Sequence, residues 1–184
     1  MAWALEFDGV NDYCEPAAWY PTDEGEWSFE VDIITGANIT DSQTICGYEA
    51  SASSKTTKLS INAGEFQTLH VSSWTVASIL KSPPILANTR YTVKVMLTGG
   101  IFSLWVDGVL QQSGARATPN TTYPYIDFIG RIRYAANSRY LKAQLITLDC
   151  KDLTTPANDR LYDATASSHA PGAQPVLVDT INSQ

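Results

Sequence analysis

The stretch "RYTVKVMLTGGIFSLWVDGVLQQSG", residues 90–114, decides the fold. Tyr91, Val93, Val95 and Leu97 alternate with Thr92, Lys94 and Met96, the period of two that a half-buried strand requires. Gly99-Gly100 interrupts the pattern, and Phe102, Leu104 and Val106 resume it on one face. Asp107-Gly108 follows, and "VLQQSG" returns the chain. A two-residue type I′ hairpin needs positive φ at both central positions, which Gly-Gly and Asp-Gly tolerate best. The segment therefore reads as three antiparallel strands in a meander.

The same period extends outward. In "EWSFEVDI" (26–33) Trp27, Phe29, Val31 and Ile33 share one face, while Ser28, Glu30 and Asp32 share the other. "TKLSINAGEFQTLHV" (57–71) reads as a hairpin turning at Asn62-Ala63-Gly64. "YIDFIGRI" (125–132) and "YLKAQLITLDC" (140–150) are further strands, and only "PANDRLYDATA" (156–166) has room for a helical turn or two. Many short strands between turn signals predict an all-β chain, an antiparallel β-sandwich or jelly roll. Phe29, Val31, Val93, Phe102, Leu104 and Val106 are expected in its core, on facing sheets. After Lys151 the texture changes: prolines at 156, 171 and 175 and one short apolar run, Val176-Leu177-Val178, mark a largely irregular C-terminal segment. The expected division is a sandwich over 1–152. Residues 153–184 would then be a strap or extension that packs on the sandwich or a neighbouring subunit, with the apolar run as an assembly contact.

Composition excludes several classes. The 184 residues carry 44% hydrophobic and 17% charged side chains and a net charge of −7, ordinary for one globular domain. No basic stripe suits a phosphate backbone, so no nucleic-acid partner is expected. No run approaches the roughly 18 apolar residues of a membrane span. The opening "MAWALEFDGV" lacks a basic region and carries Glu6 and Asp8, so no signal peptide is expected. Cys14, Cys46 and Cys150 are odd in number and contain no CxxC pair, which argues against a disulfide framework or a zinc site. They read as three buried or half-buried thiols of a protein made in a reducing compartment.

Five pieces in order resemble the LamG-like jelly roll of the concanavalin A-like lectin/glucanase superfamily. "ALEFDGVNDYCE" (4–15) is similar to that group's first strand, "EWSFEVDI" to its second, and the 88–114 stretch to its central hairpin. "IDFIGR" and "YLKAQLITLDCKDL" resemble its closing strands, although Lys142-Ala143-Gln144-Leu145-Ile146-Thr147 replaces the usual Gly-x-Ile-Asp. The tail, "DRLYDATASSHAPGAQPVLVDTINSQ", is similar to segments that follow this domain in tailed-bacteriophage particle proteins.

The hydrolytic members of the superfamily place three acids on one strand face. Glu30 and Asp32 match the first two, but Ile34 and Thr35 stand where the acid/base belongs. Loss of that proton donor removes on the order of 10²–10⁴ in rate. His70 and His169 lie in no GxSxG-type context, so no nucleophilic triad is expected either. Related sandwiches hold calcium with loop oxygens. Asp8, Asn11 and Asp12 form an oxygen-rich turn, yet such residues also simply make turns, and no cofactor is expected. Sugar binding needs an aromatic platform beside hydrogen-bonding groups. Trp19 and Tyr20, in a loop stiffened by Pro16 and Pro21, are the leading candidates, with Glu30, Asp32 and Tyr48 beside them and Trp74, Tyr123, Tyr125 and Tyr134 as others.

The resemblance implies a non-enzymatic structural protein of a bacteriophage virion. It would decorate or cement the capsid, or belong to a tail or fibre, through contacts with coat or tail proteins and with copies of itself. The alternative is a carbohydrate-binding module that attaches to cell-surface glycans, and the remote one a β-glucanase. The expected location is the virion, after synthesis in the host cytoplasm.

Overall fold

A computed structural model describes residues 4–10, 13–16, 18–22, 26–49, 56–73, 76–115, 126–131, 139–163 and 178–179. Two antiparallel sheets face each other. Among the described residues the larger runs β13 (Val178–Asp179), β12 (Arg160–Asp163), β11 (Lys142–Asp152), β2 (Trp27–Thr35), β7 (Arg90–Thr98), β8 (Ile101–Val106) and β9 (Val109–Ala115). Strand β1 (Leu5–Asp8) also pairs with β11. The smaller sheet runs β10 (Phe128–Ile129), β3 (Gln43–Glu49), β4 (Thr56–Asn62), β5 (Glu65–Ser73) and β6 (Val76–Pro84).

The meander forms as the alternation requires. Gly99 and Gly100 adopt φ of 54° and 75°, and Asp107 and Gly108 adopt 50° and 75°. These are the left-handed pairs that let a two-residue turn match the right-handed strand twist. Phe29, Val31, Val93, Phe102, Leu104 and Val106 are all buried. They do not sit on facing sheets, however: β2, β7 and β8 are neighbours in the larger sheet, so all six line one wall of the core. The opposite wall comes from Ile45, Leu59, Ile61, Phe66 and Leu80. Trp27 stacks on Phe29 with centroids 5.8 Å apart and meets Phe102 at 6.2 Å. His70 joins this aromatic group at 5.5 Å from Phe102, its Nδ1 held 2.9 Å from the Thr57 hydroxyl, so the imidazole has a structural role.

The three cysteines are free and buried, and burial pushes the thiols of Cys46 and Cys150 well up. One side of the sandwich closes where the edge strands β6 and β9 lean together: the Lys81 amide donates to Gln112 Oε1 at 2.7 Å. Such a contact covers edge groups that would otherwise recruit another strand.

The C-terminal part starts with one 3₁₀ turn, Pro156–Asn158, and then becomes extended rather than helical. Strand β12 pairs with Thr147–Cys150 of β11, next to the stretch that β1 covers, with a bulge at Ile146 in between. Tyr162 on β12 is 2% exposed and belongs to the core. Asp179 and Val178 pair with Tyr162 and Asp163. Val176 and Leu177 lie outside the described residues.

Candidate functional site

Alternation along β2 sends Trp27, Phe29, Val31 and Ile33 inward and leaves Ser28, Glu30, Asp32 and Ile34 on the outer face of the larger sheet. The register then fixes their neighbours. Glu30 stands between Asp149 of β11 and Lys94 of β7; Lys94 opposes Trp105 of β8, and Trp105 opposes Leu110 of β9. This row crosses five strands, roughly 19 Å at the usual strand spacing. A second row holds Thr147, Asp32 and Thr92. Glu30, Thr92, Lys94, Met96, Trp105 and Gly108 line a cleft of about 320 Å³ in this face.

The charges on the face are unequally committed. Arg90 forks onto Asp32, its Nε donating to Oδ1 at 2.9 Å and its Nη2 to Oδ2. Lys151 lies 3.2 Å from both Asp149 and Asp159; burial works to lower its pKa, but the two carboxylates outweigh it and raise it. The side chains of Glu30 and Lys94 have no hydrogen bond or ion pair to any described residue, although the two stand opposite each other. The Trp105 indole N–H donates to the Ser103 hydroxyl at 3.0 Å, leaving the ring half-buried beside them. An aromatic plane next to an uncommitted carboxylate and ammonium is what a polyhydroxylated ligand needs.

Hydrolysis is less well provided for. Ile34 follows Glu30 and Asp32 on the same face, and Thr35 turns inward, its hydroxyl donating to the Leu86 carbonyl at 2.8 Å. Asp149 is the carboxylate opposite Glu30, but Lys151 engages it. Neither position at which the resemblance puts the acid/base carries a carboxylic acid.

The residues expected to bind sugar do not form one site. Glu30 and Asp32 share the outer face. Trp19 is 1% exposed, its backbone bridging Ile126 and its Nε1 donating to the Asn158 carbonyl at 2.9 Å. It is core, not a solvent-facing platform, because the indole N–H finds a carbonyl 139 residues away in sequence. Tyr20 is 50% exposed, beside the loop bearing Asn158 rather than beside Glu30. Tyr48 belongs to the smaller sheet. Trp74, Tyr123, Tyr125, Tyr134, Asn11 and Asp12 lie outside the described residues. Asp8 uses Oδ1 to cap the Val10 amide at 2.7 Å. The sequence reading passed over Trp105, although the alternation that turns Phe102, Leu104 and Val106 inward also turns it outward.

Two other polar regions differ from this face. At one end of the sandwich, clefts of about 340 and 270 Å³ meet at Asp8 and Lys142, and among the described residues Tyr140 is the one half-buried aromatic side chain in their linings. At the end of β11, Asp152 is 1% exposed and accepts from the Thr22 amide and hydroxyl, the Thr154 amide and hydroxyl, the Thr155 amide and Asn158 Nδ2, at 2.7–3.1 Å. Burial alone would raise its pKa. The bonds from Thr22, Asn158 and Thr154 outweigh burial and hold the carboxyl far below its usual range. This knot ties the 18–22 segment to the start of the C-terminal region.

The architecture is that of the concanavalin A-like, LamG-type jelly roll. It is similar to a putative carbohydrate-binding protein from Bacteroides ovatus, at 15% identity and a TM-score of 0.70 over 97% of this chain and 55% of that one. It is also similar to mouse laminin alpha1 domains LG4-5, at 15% identity and a TM-score of 0.62 over 94% of this chain and 45% of that one. The chain thus spans about half the length of these two structures. The enzymatically active domain of bacteriophage CBA120 tailspike protein 2 matches over 83% of this chain and 25% of its own, at 12% identity and a TM-score of 0.58. No protein-family profile matches the sequence, and no curated protein matches it.

Proposed function

We propose that this chain is a non-enzymatic attachment module of a bacteriophage particle that binds carbohydrate on the outer face of its larger sheet. The observation that carries this reading is Trp105, half-buried in a cleft with Glu30 and Lys94, whose side chains engage no described residue. A pyranose stacks its C–H face on an indole, while its hydroxyls need acceptors and donors at the ring's edge; Glu30 and Lys94 supply one of each. The missing acid/base favours holding a glycan over cutting it. The particle context rests on the similarity of the C-terminal sequence to phage segments. A putative carbohydrate-binding protein and a phage tailspike both fit the scaffold.

A second reading is a purely structural virion protein that acts through protein–protein contacts, with itself or with a coat or tail protein. It is favoured by the C-terminal strands β12 and β13, which extend the edge of the larger sheet. A glycan array probed with the intact chain and with Trp105→Ala separates the two. Glycan binding that falls about tenfold or more in the variant, equivalent to roughly 1.4 kcal/mol, supports the first. No glycan binding, together with co-sedimentation on phage particles, supports the second.

A further inference from the structure

Ser103 is 4% exposed although alternation places it on the outer, polar face. Its hydroxyl donates to the Met96 carbonyl at 3.3 Å and accepts the Trp105 indole N–H at 3.0 Å. A hydroxyl has one proton and two lone pairs, so both bonds are satisfied at once. The indole has a single donor, and Ser103 consumes it. Trp105 therefore has no hydrogen-bonding capacity left for a ligand. What remains is the ring face, whose negative quadrupole attracts polarised C–H groups.

Resting on the carbohydrate reading above, we propose that Ser103 is a positioning residue that fixes Trp105 as a pure stacking platform. The face then favours pyranoses whose hydroxyls are all equatorial, since both sides of such a ring can stack. Such a ring separates cleanly into a C–H surface for Trp105 and a hydroxyl rim for Glu30, Lys94 and Thr92. An axial hydroxyl aimed at the indole would be desolvated against a group with no hydrogen bond left to give. The ligand class is thus a β-linked gluco-configured oligosaccharide, either face of which can stack; a manno-configured ring keeps only the face opposite its axial hydroxyl.

The test uses cellohexaose and mannohexaose as probes in calorimetric titrations of the intact chain, Ser103→Ala, Ser103→Thr, Trp105→Phe and Trp105→Ala. Circular dichroism checks each fold, and the hydrogen exchange of the Trp105 indole N–H is followed by NMR. Cellohexaose should bind more tightly than mannohexaose, and equal affinities overturn the selection for equatorial hydroxyls. Ser103→Ala should speed indole exchange about tenfold and weaken cellohexaose several-fold, and Ser103→Thr should restore both. Trp105→Phe, which keeps a stacking ring, should retain most of the affinity that Trp105→Ala loses. Unchanged exchange and affinity in Ser103→Ala overturn the positioning role, and the exchange measurement decides this without a ligand. A Trp105→Phe loss as large as that of Trp105→Ala shows that the indole N–H meets the sugar, which also overturns it. Cellohexaose failing to bind, while an array glycan does, overturns the ligand class and leaves the carbohydrate reading standing.

Discussion

Asp152 and Glu30 are carboxylates on or at the end of adjacent strands, β11 and β2, and their surroundings are opposite. Asp152 is enclosed and accepts from six donors supplied by four residues. Glu30 lies half-open in a cleft, and its side chain engages no described residue. The sheet fixes the backbone of both residues, yet only one of the side chains is used by the fold. A polar group saturated from within the chain holds loops together; one that is positioned but uncommitted remains for a ligand. The same contrast separates Trp19, whose N–H ties down the loop of Asn158, from Trp105, whose N–H is bound within its own strand by Ser103.

The contrast is sharpened most by cutting the chain after Asp152. That removes Thr154, Thr155 and Asn158 from the knot and Tyr162 from the core. The loss of a buried aromatic side chain alone makes a cost of about 4 kcal/mol or more the expected outcome. Urea unfolding followed by circular dichroism measures it. A truncated chain as stable as the parent would show that the knot and β12 contribute nothing to the sandwich.

Asp152→Asn comes next, with an expected loss of about 2–3 kcal/mol at neutral pH from weakened charged hydrogen bonds. The pH dependence follows from linkage. The folded carboxyl titrates below its unfolded value, so the stabilisation is complete above the unfolded pKa of about 3.9 and is lost as pH falls from there through the folded pKa. Stability of the parent should therefore decline below about pH 4, and the gap between parent and Asp152→Asn should narrow with it. A gap that stays constant down to pH 2 would break the assignment.

On the open face the expected stability effects are smallest. Glu30→Gln and Lys94→Ala should change unfolding free energy by no more than about 0.5 kcal/mol, since neither side chain is committed. Asp32→Asn should cost at most about 1 kcal/mol, because Arg90 is an exposed partner. Denaturation midpoints check all three. A large loss in Glu30→Gln would mean the residue is structural after all.

Much of this was legible in the sequence. The meander of residues 90–114 combines strict alternation with two turn pairs that admit little else, and the structure follows it except for a bulge at Gln111 in its last strand. β3 and β6 were not legible: Gln43 to Gly47 are all buried, so no period shows, and β6 ends in Pro83-Pro84, which reads as a break. The assignment of the core residues to facing sheets failed because alternation reports which side of a strand is apolar, not which sheet the strand joins. Trp19 looked like a loop aromatic because its partner, Asn158, is brought near only by the complete fold. Trp105 carried a readable signal, since an outward residue two positions from Ser103 must share its face. An aromatic ring in an apolar strand nevertheless invites assignment to the core.

The most direct test of the central claim is a map of amide and side-chain chemical-shift changes in the 15N-labelled chain, titrated with the best glycan from the array. Shifts should concentrate on β2, β7 and β8 around Glu30, Lys94, Ser103 and Trp105, and leave Thr22, Asp152 and Asn158 unmoved. Shifts centred on the smaller sheet, or on the clefts beside Asp8, Tyr140 and Lys142, would contradict it.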